Sequence, residues 1–479
     1  MNDTSRDKAT PTERARRQVF ELLLGERDIA LHSLPAIPKR NAATPMPASV
    51  TQKRLWDDWI SGLPPESQCE TVVLRLTGPA NIQALGDALD EVVRRHDILR
   101  ASFVEVDGEL YQAISRHMRM RLSIVDLALL SPDQGEAEWR RICEVQTGIR
   151  FDLRLAPLMR WMVVPLTSED QRIVVTLHRA ICDDWSADVL VDELLTFYDT
   201  YFNGTPGQLE EPVLQYADYV AWERERLEAG ELDSVMDYWR EQFAEGPSAG
   251  QRAASGKPIR QHPERISSPI RLSGEVSGQI GGFCAQHVLT PYIFFLACCN
   301  ILLGRRKGLS EVCIGAVTAN RNEADVQFLV GPLAGILMIK VDVSGNPTFE
   351  EVISGARQSA LTAYEHQGLA YARVLTEALR SGRPGTPEMG LVLSEGSVRR
   401  YRSGNLNIMR ERGMYRTEGA DLAIVLWSAD GGFEGQVSCA DVAPGSNHAQ
   451  RLANEFERLV HACVSDPQRR IGDLEPLAD

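Results

Sequence analysis

Two hydrophobic periods take turns along this chain. Residues 71–77 (TVVLRLT), 99–106, 161–166 and 172–178 carry apolar side chains in the short alternating or continuous runs expected of strands. Residues 80–96 repeat instead about every 3.6 positions, with Leu85, Leu89, Val92 and Val93 on one face, which predicts an amphipathic helix. Further helices are predicted over 187–201 and, as one continuous element with its aromatic residues to one side, over 215–244. Asp107-Gly108 is a turn dipeptide that sends the second strand back. The second half repeats the mixture, with helices over 277–288, 291–304, 348–364 and 446–465. Its strands are expected over 311–317, 334–343, 389–394, 420–428 and 432–440. The coarse class is α/β in two lobes.

Punctuation between these elements sets the expected boundaries. Thr10 and Glu13 are spaced as a helix start, Val19, Leu22 and Leu23 follow at helical spacing, and a Pro- and Ala-rich stretch over 34–48 reads as a tether. Residues 246–258 are rich in Gly, Ala, Ser and Pro. The expected organisation is an N-terminal helix and linker over 1–44, an N-terminal lobe over 45–245, an inter-lobe linker over 246–258 and a C-terminal lobe over 259–479.

Composition narrows the function classes. The 479 residues carry a formal net charge of −15, which argues against a nucleic-acid binder. The longest near-apolar run, 292–303 (YIFFLACCNILL), spans only about 18 Å as a helix, so it reads as a buried core helix and not a membrane span. The amino end has no apolar stretch of signal type, and the expected location is cytoplasmic. The nine cysteines are scattered with no CxxC spacing and no Cys/His cluster, so they read as small buried hydrophobes and no metal is expected. No GxGxxG or Walker pattern is present, and no cofactor is expected.

Residues 177–186 (LHRAICDDWS) carry the candidate chemistry. A strand ends in His178-Arg179, and a loop holding Asp183 and Asp184 leads through Trp185 and Ser186 into a helix. Charged groups at such a junction suit a site in a crevice. They equally suit a salt-bridged loop in which Arg179 is held by Asp183 or Asp184.

This segment resembles the HHxxxDGxS signature of the condensation domains of nonribosomal peptide synthetases. Residues 49–56 (SVTQKRLW) are similar to the family's SxAQxRLW, 95–103 (RHDILRASF) to RHExLRTxF, 216–222 (YADYVAW) to YxDYAxW, 314–321 (IGAVTANR) to IGxPxAxR, and 366–371 (HQGLAY) weakly to HQDxPFE. The resemblance implies two chloramphenicol-acetyltransferase-like lobes forming a V-shaped pseudo-dimer. It also implies a structural salt bridge between Asp183 and Arg321.

The departures from the signature bear on activity. The family's second His, to which a general-base or amine-orienting role is given, is Arg179 here. A guanidinium has no acceptor lone pair and cannot take a proton from an amine. Asp184 replaces the Gly, adding bulk and charge where a pantetheine arm would run, and Arg179 and Asp184 are expected to pair and plug that channel. The double substitution HRxxxDD resembles the X-domains of glycopeptide-antibiotic synthetases. That resemblance implies a non-catalytic domain, part of a multi-enzyme synthetase, that recruits haem-thiolate (cytochrome P-450-type) oxygenases in trans to cross-link a carrier-bound peptide, with the neighbouring peptidyl carrier protein as a second partner. The rival reading is an active condensation or acyl-transfer enzyme with an altered site. Under the recruitment reading the catalytic set is empty, and His178, Arg179, Asp183, Asp184, Trp185 and Ser186 form a degenerate motif.

Outside the motif, His96 sits at a helix end in a structural role. Trp56, Trp59, Trp185 and Trp222 are expected in or near the core, and the charged stretch 223–233 is expected to be a solvated face. Residues 116–121 (RHMRMR) read either as an exposed strand or as half of an electrostatically steered interface.

Overall fold

The computed structural model describes residues 37–41, 46–204, 209–244, 265–321, 324–367, 373, 389–394, 400–411, 422–429, 432–440 and 447–474. The chain enters through α1 (Val50–Ile60), whose N-cap Ser49 exchanges hydrogen bonds with Gln52 in a capping box. There follow β1 (Cys69–Thr77), α2 (Ile82–Arg95), the hairpin β2 (Ala101–Val106) and β3 (Glu109–Ile114), β4 (Ser123–Ile124), α3 (Pro132–Gly148), β5 (Met159–Pro165), β6 (Asp170–His178), α4 (Asp184–Asn203), α5 (Tyr216–Glu228) and α6 (Asp233–Ala244). The second half contributes β7 (Arg265–Arg271), α7 (Gly274–Gln286), α8 (Pro291–Lys307), β8 (Glu311–Thr318), β9 (Gly335–Asp342), α9 (Phe349–Glu365), β10 (Met389–Ser394), β11 (Arg400–Ser403), β12 (Leu406–Glu411), β13 (Leu422–Ala429), β14 (Gly432–Ala440) and α10 (His448–Ser465).

Two six-stranded sheets organise two lobes, in the orders β11-β12-β1-β6-β5-β4 and β7-β14-β13-β10-β8-β9. The continuous apolar run of β6 reflects burial on both faces. Ile173, Val175 and Leu177 join the main core of the first lobe with Val72, Leu74 and Leu76 of β1, while Val174 faces Trp139 and Ile142 of α3. In the second lobe α8 is apolar all round and its residues from Ile293 to Gly304 are buried. Among the described residues no single helix is long and apolar enough to cross a membrane. Seven cysteines are buried and all nine are free thiols.

The two halves of the sequence do not map one to one onto the two cores, which corrects the expected ranges 45–245 and 259–479. Leu232, Met236 and Trp239, around and in α6, belong to the second core. In return β11 and β12 complete the first sheet, with β12 antiparallel to β1 (Arg75 opposite Met409), and Val326, Leu329, Val330 and Leu333 enter the first core. Hydrophobic patterning marks a face as buried without saying against what. Residues 1–36, the expected linker 246–258 and residues 368–371 of the last motif lie outside the described residues. Within the expected arm, Ile37 is buried and the Arg40 amide donates to Asp218.

Three element boundaries also move. The helix expected over 215–244 is two helices, because Gly230 adopts φ +76 after Ala229 and ends α5. Residues 97–100 form a tight 3₁₀ turn before β2. Residues 116–121 form no strand: the Arg116 carbonyl accepts from Arg100 and the Met120 amide donates to Asp90, so side chains tie down a backbone that has no neighbouring strand.

Gly331 is where the loop from the second half lies against the first lobe. A Cβ there would stand 2.1 Å from Cδ2 of the Tyr216 ring, whose own position is fixed by hydroxyl contacts to Ser49 Oγ (3.0 Å) and the Pro332 carbonyl (3.3 Å). Gly331→Ala is therefore expected to cost about 2–3 kcal/mol of stability through overpacking, read as a lowered denaturant midpoint with an unchanged slope. A cost below about 0.5 kcal/mol would show that the loop is not held against Tyr216.

Candidate functional site

β6 delivers the motif to the end of the first sheet, where the strand leads into α4. Because strand side chains alternate, His178 and the next residue leave on opposite faces. His178 is buried, edge-on to Phe151 at 6.0 Å, and its Nδ1 accepts from the Ala180 amide at 3.1 Å. The proton therefore sits on Nε2, which has no hydrogen-bond partner among the described residues. Burial first, then the positive charges of Arg179 and Arg160, pull its pKa down to about 3. His178 is a neutral structural imidazole.

Arg179 turns to the other side. Its Nε lies 2.9 Å from Glu70 of β1, and its amide donates to the Gln68 carbonyl at 2.8 Å. This corrects both expected pairings: Arg179 is not held by Asp183, and Arg179 and Asp184 do not form a plug. Asp184, half exposed in the first turn of α4, instead accepts from Arg410 Nη2 of β12 at 3.0 Å, and Asp188 one turn on pairs with the same guanidinium. Sequence reading missed Arg410 and Glu70 because each lies in a strand far along the chain from the motif. An i, i+4 pair of carboxylates at 184 and 188 was the available signal that a cation approaches this face.

Asp183 is the N-cap of α4, accepting from the Ser186 amide at 2.7 Å. The same carboxylate takes Arg321 in a fork, Nη1 to Oδ2 at 2.8 Å and Nη2 to Oδ1 at 2.9 Å. It also accepts the amides of Leu333 (3.0 Å) and Ala334 (2.8 Å). Ser186 Oγ bonds Gly331 through both its carbonyl (2.9 Å) and its amide (3.0 Å) and accepts from Arg321 at 2.7 Å. Trp185 is 38% exposed, outside the core expected for it, and donates to the Gln327 carbonyl at 2.8 Å.

Segments 49–56 and 216–222 converge on this loop, whereas 95–103 reaches Glu193 further along α4 and His366 packs against Tyr238 and Trp239. Gln52 donates to the Ala180 carbonyl at 3.0 Å, and Tyr216 bridges Ser49 and Pro332. His96 is buried, 2.9 Å from Glu193 of α4, and Arg95 pairs with the same carboxylate at 3.1 Å. Trp56, Trp59 and Trp222 are buried. In the stretch expected to be a solvated face, Glu223 is buried, and desolvation raises its carboxyl to about 7 despite the counteracting Arg373, Tyr219 and Arg226. Chemically, the junction presents an arginine paired with a carboxylate, a neutral buried imidazole and two carboxylates in ion pairs, one of them half exposed.

The Condensation domain family model matches residues 42–479. The chain belongs to the condensation-domain family. It is 29% identical over 357 residues, 74% of its length, to a component of the linear gramicidin synthase of Brevibacillus parabrevis. To malpibaldin synthetase of Mortierella alpina it is 28% identical over 475 residues, 98% of its length. The domain spans less than a tenth of either relative, at 7% and 8%. In structure it is similar to the X-domain in the complex of the X-domain and OxyB from teicoplanin biosynthesis, with TM-score 0.78, 24% identity and coverage of 93% of this chain and 99% of that one. It is also similar to the first condensation domain of the calcium-dependent antibiotic synthetase in complex with a substrate analogue, with TM-score 0.77, 17% identity and coverage of 91% and 100%. These likenesses establish the two-lobed condensation-domain fold.

Two measurements probe the site. Arg321→Ala leaves Asp183 buried without its counter-charge, and the condensation domain is expected to lose about 3–5 kcal/mol of stability. Arg321→Lys, which cannot reproduce the fork, should recover only part of this. Both are read from chemical unfolding, and a loss below about 1 kcal/mol would mean that the pair does not hold the lobes. For His178, the ring ¹⁵N shifts are expected to stay flat between about pH 5 and 8, whereas an unfolded histidine titrates near 6.5. Since the unfolded chain takes up this proton and the folded one does not, the His178 contribution is full above about 6.5 and is lost as pH falls toward 3. A titration step near 6.5 in the folded protein would place the ring in solvent.

Proposed function

We propose that this condensation domain is a non-catalytic recruitment module of a nonribosomal peptide synthetase. In this reading it binds haem-thiolate oxygenases in trans so that they act on a carrier-bound peptide, and the neighbouring carrier protein is its second partner. One observation carries the reading. At the motif position where an amide-forming enzyme needs a group able to receive the amine proton stands Arg179, committed to Glu70 at 2.9 Å. His178 cannot replace it, because its only lone-pair nitrogen already accepts from Ala180 and its ring lies on the opposite face of the sheet. The likeness to an X-domain solved in complex with OxyB supports the choice of partner.

The test is a calorimetric titration of the full chain with a peptide-cross-linking haem oxygenase of the OxyB type, paired with an assay for amide formation between a carrier-bound donor and a carrier-bound acceptor. Saturable one-to-one binding at about micromolar Kd, with no amide formed, is the expected result. Amide formation by the wild type that is abolished in Arg179→Ala would overturn the reading and make the domain an enzyme.

A further inference from the structure

Of the nine thiols, seven are buried, and Cys69 and Cys143 are half-buried. The surroundings of these two differ. Burial, and then the Glu411 carboxylate, push the Cys143 thiol up to about 12, so it stays protonated near neutral pH. Cys69, at the start of β1, lies directly opposite His178 of β6. Side chains of opposed residues leave on the same face of a sheet, about 5 Å apart at Cβ. Thr176 shares that face two residues away on β6, and Arg160 of β5 stands opposite Thr176.

Arg160 has no carboxylate partner among the described residues. Its Nη2 donates to the carbonyls of Gln146 (2.9 Å) and Ile149 (2.8 Å), its guanidinium lies 3.8 Å over the Phe151 ring, and its Nε is unpartnered. Burial pulls its pKa down, and the one group that counters this is Cys69. Glu70, next to Cys69 in sequence, points to the opposite face and is held by Arg179. A thiol beside a guanidinium that lacks a carboxylate is favoured as thiolate, its nucleophilic form. Two further polar groups on this face are 1% exposed and unpartnered among the described residues, His178 Nε2 and Thr176 Oγ1. Because Nδ1 is turned back to the Ala180 amide, Nε2–H stands at the far edge of the ring, on the side of the sheet shared with Cys69. A half-buried sulfur flanked by a hydroxyl and two kinds of N–H donor suits a small reactant whose oxygens accept hydrogen bonds.

We propose that Cys69 is a site of oxidation by a small hydroperoxide, with Arg160 favouring the thiolate and Thr176 and His178 placed to hold the peroxide oxygens. The thiolate attacks one oxygen of hydrogen peroxide, and an S–O bond forms as the O–O bond breaks. Sulfur gives up two electrons and becomes a sulfenic acid, while the second oxygen leaves as hydroxide and is protonated by solvent to water. The site lies on the face of β6 opposite Arg179 and stands whether or not the domain recruits an oxygenase.

The test exposes the full chain to hydrogen peroxide near neutral pH, traps sulfenic acid with dimedone and reads the adduct at each cysteine by peptide mass spectrometry, with iodoacetamide alkylation in parallel. Cys69 should gain the dimedone adduct about tenfold faster than Cys143, or more. Arg160→Gln should slow both reactions of Cys69 about tenfold, and Arg160→Lys, which keeps the charge, should hold them within about threefold of wild type. Thr176→Val, which removes the hydroxyl, should slow the peroxide reaction about fivefold and leave alkylation unchanged. If Arg160→Gln melts earlier than wild type, Thr176→Val carries the comparison. Equal dimedone rates at Cys69 and Cys143 overturn the proposal. A peroxide rate unmoved by Thr176→Val, or one that falls together with the alkylation rate, overturns the peroxide site and leaves only a nucleophilic thiol.

Discussion

The architecture depends on one buried carboxylate. Asp183 receives a backbone amide that starts α4, two guanidinium N–H groups from Arg321 and the amides of Leu333 and Ala334. A carboxylate removed from water is costly unless its lone pairs are used, and five donors use them. The guanidinium and the last two amides come from the second half of the sequence, the carboxylate and the capped helix from the first. The same interaction thus caps the helix that carries the motif, seats the 329–334 loop against Tyr216 and joins the lobes. Replacing such a pair by well-packed apolar groups is often neutral in energy, so its value here lies in orientation: a fork with added amides admits one relative placement of strand end, helix and loop.

Around that fixed point the charges that depart from the family signature have each been absorbed. Arg179 is neutralised by Glu70, and Asp184 together with Asp188 receives Arg410 from β12. The second arrangement ties the crossover strand to the first turn of α4, so the substitution at 184 serves the interlacing of the two cores. Strand alternation completes the effect. With His178 and Arg179 on opposite faces, one residue cannot take over the other's position without a register slip that would expose the β6 core. An arginine after His178 is therefore compatible with an intact fold.

Much of this was legible beforehand. The periodicity of 80–96, the strands at 71–77 and 172–178 and the buried helix at 291–304 need only local pattern, and the structure has them within a few residues. The segments 49–56, 216–222 and 314–321 were recognisable in sequence, but their convergence on Ala180, Pro332 and Asp183 is tertiary. What pattern did not reveal was partnership. The α3 helix has Trp139, Ile142 and Gln146 buried amid many exposed charges, too thin an apolar stripe to stand out. The strands β11 and β12 are short and carry three Arg between them, and they are held by β12 pairing with β1 across more than three hundred residues and β11 pairing with β12. Arg179 was assigned to its sequence neighbours because local spacing was all that could be weighed, while Glu70 is brought to it by β1 lying antiparallel to β6.

The layout of the first lobe follows from α4. Its amino end is the Asp183–Ser186 staple, and its carboxyl end brings Tyr201 to an open cleft lined by both acidic and basic side chains, seventeen residues and about 26 Å away along one rigid helix. The motif serves as the joint between lobes. The bonds to Asp183 and the pairing of Arg410 with Asp184 and Asp188 meet at the amino end of this helix, so strand end, helix and the 329–334 loop are fixed relative to one another from a single turn of backbone.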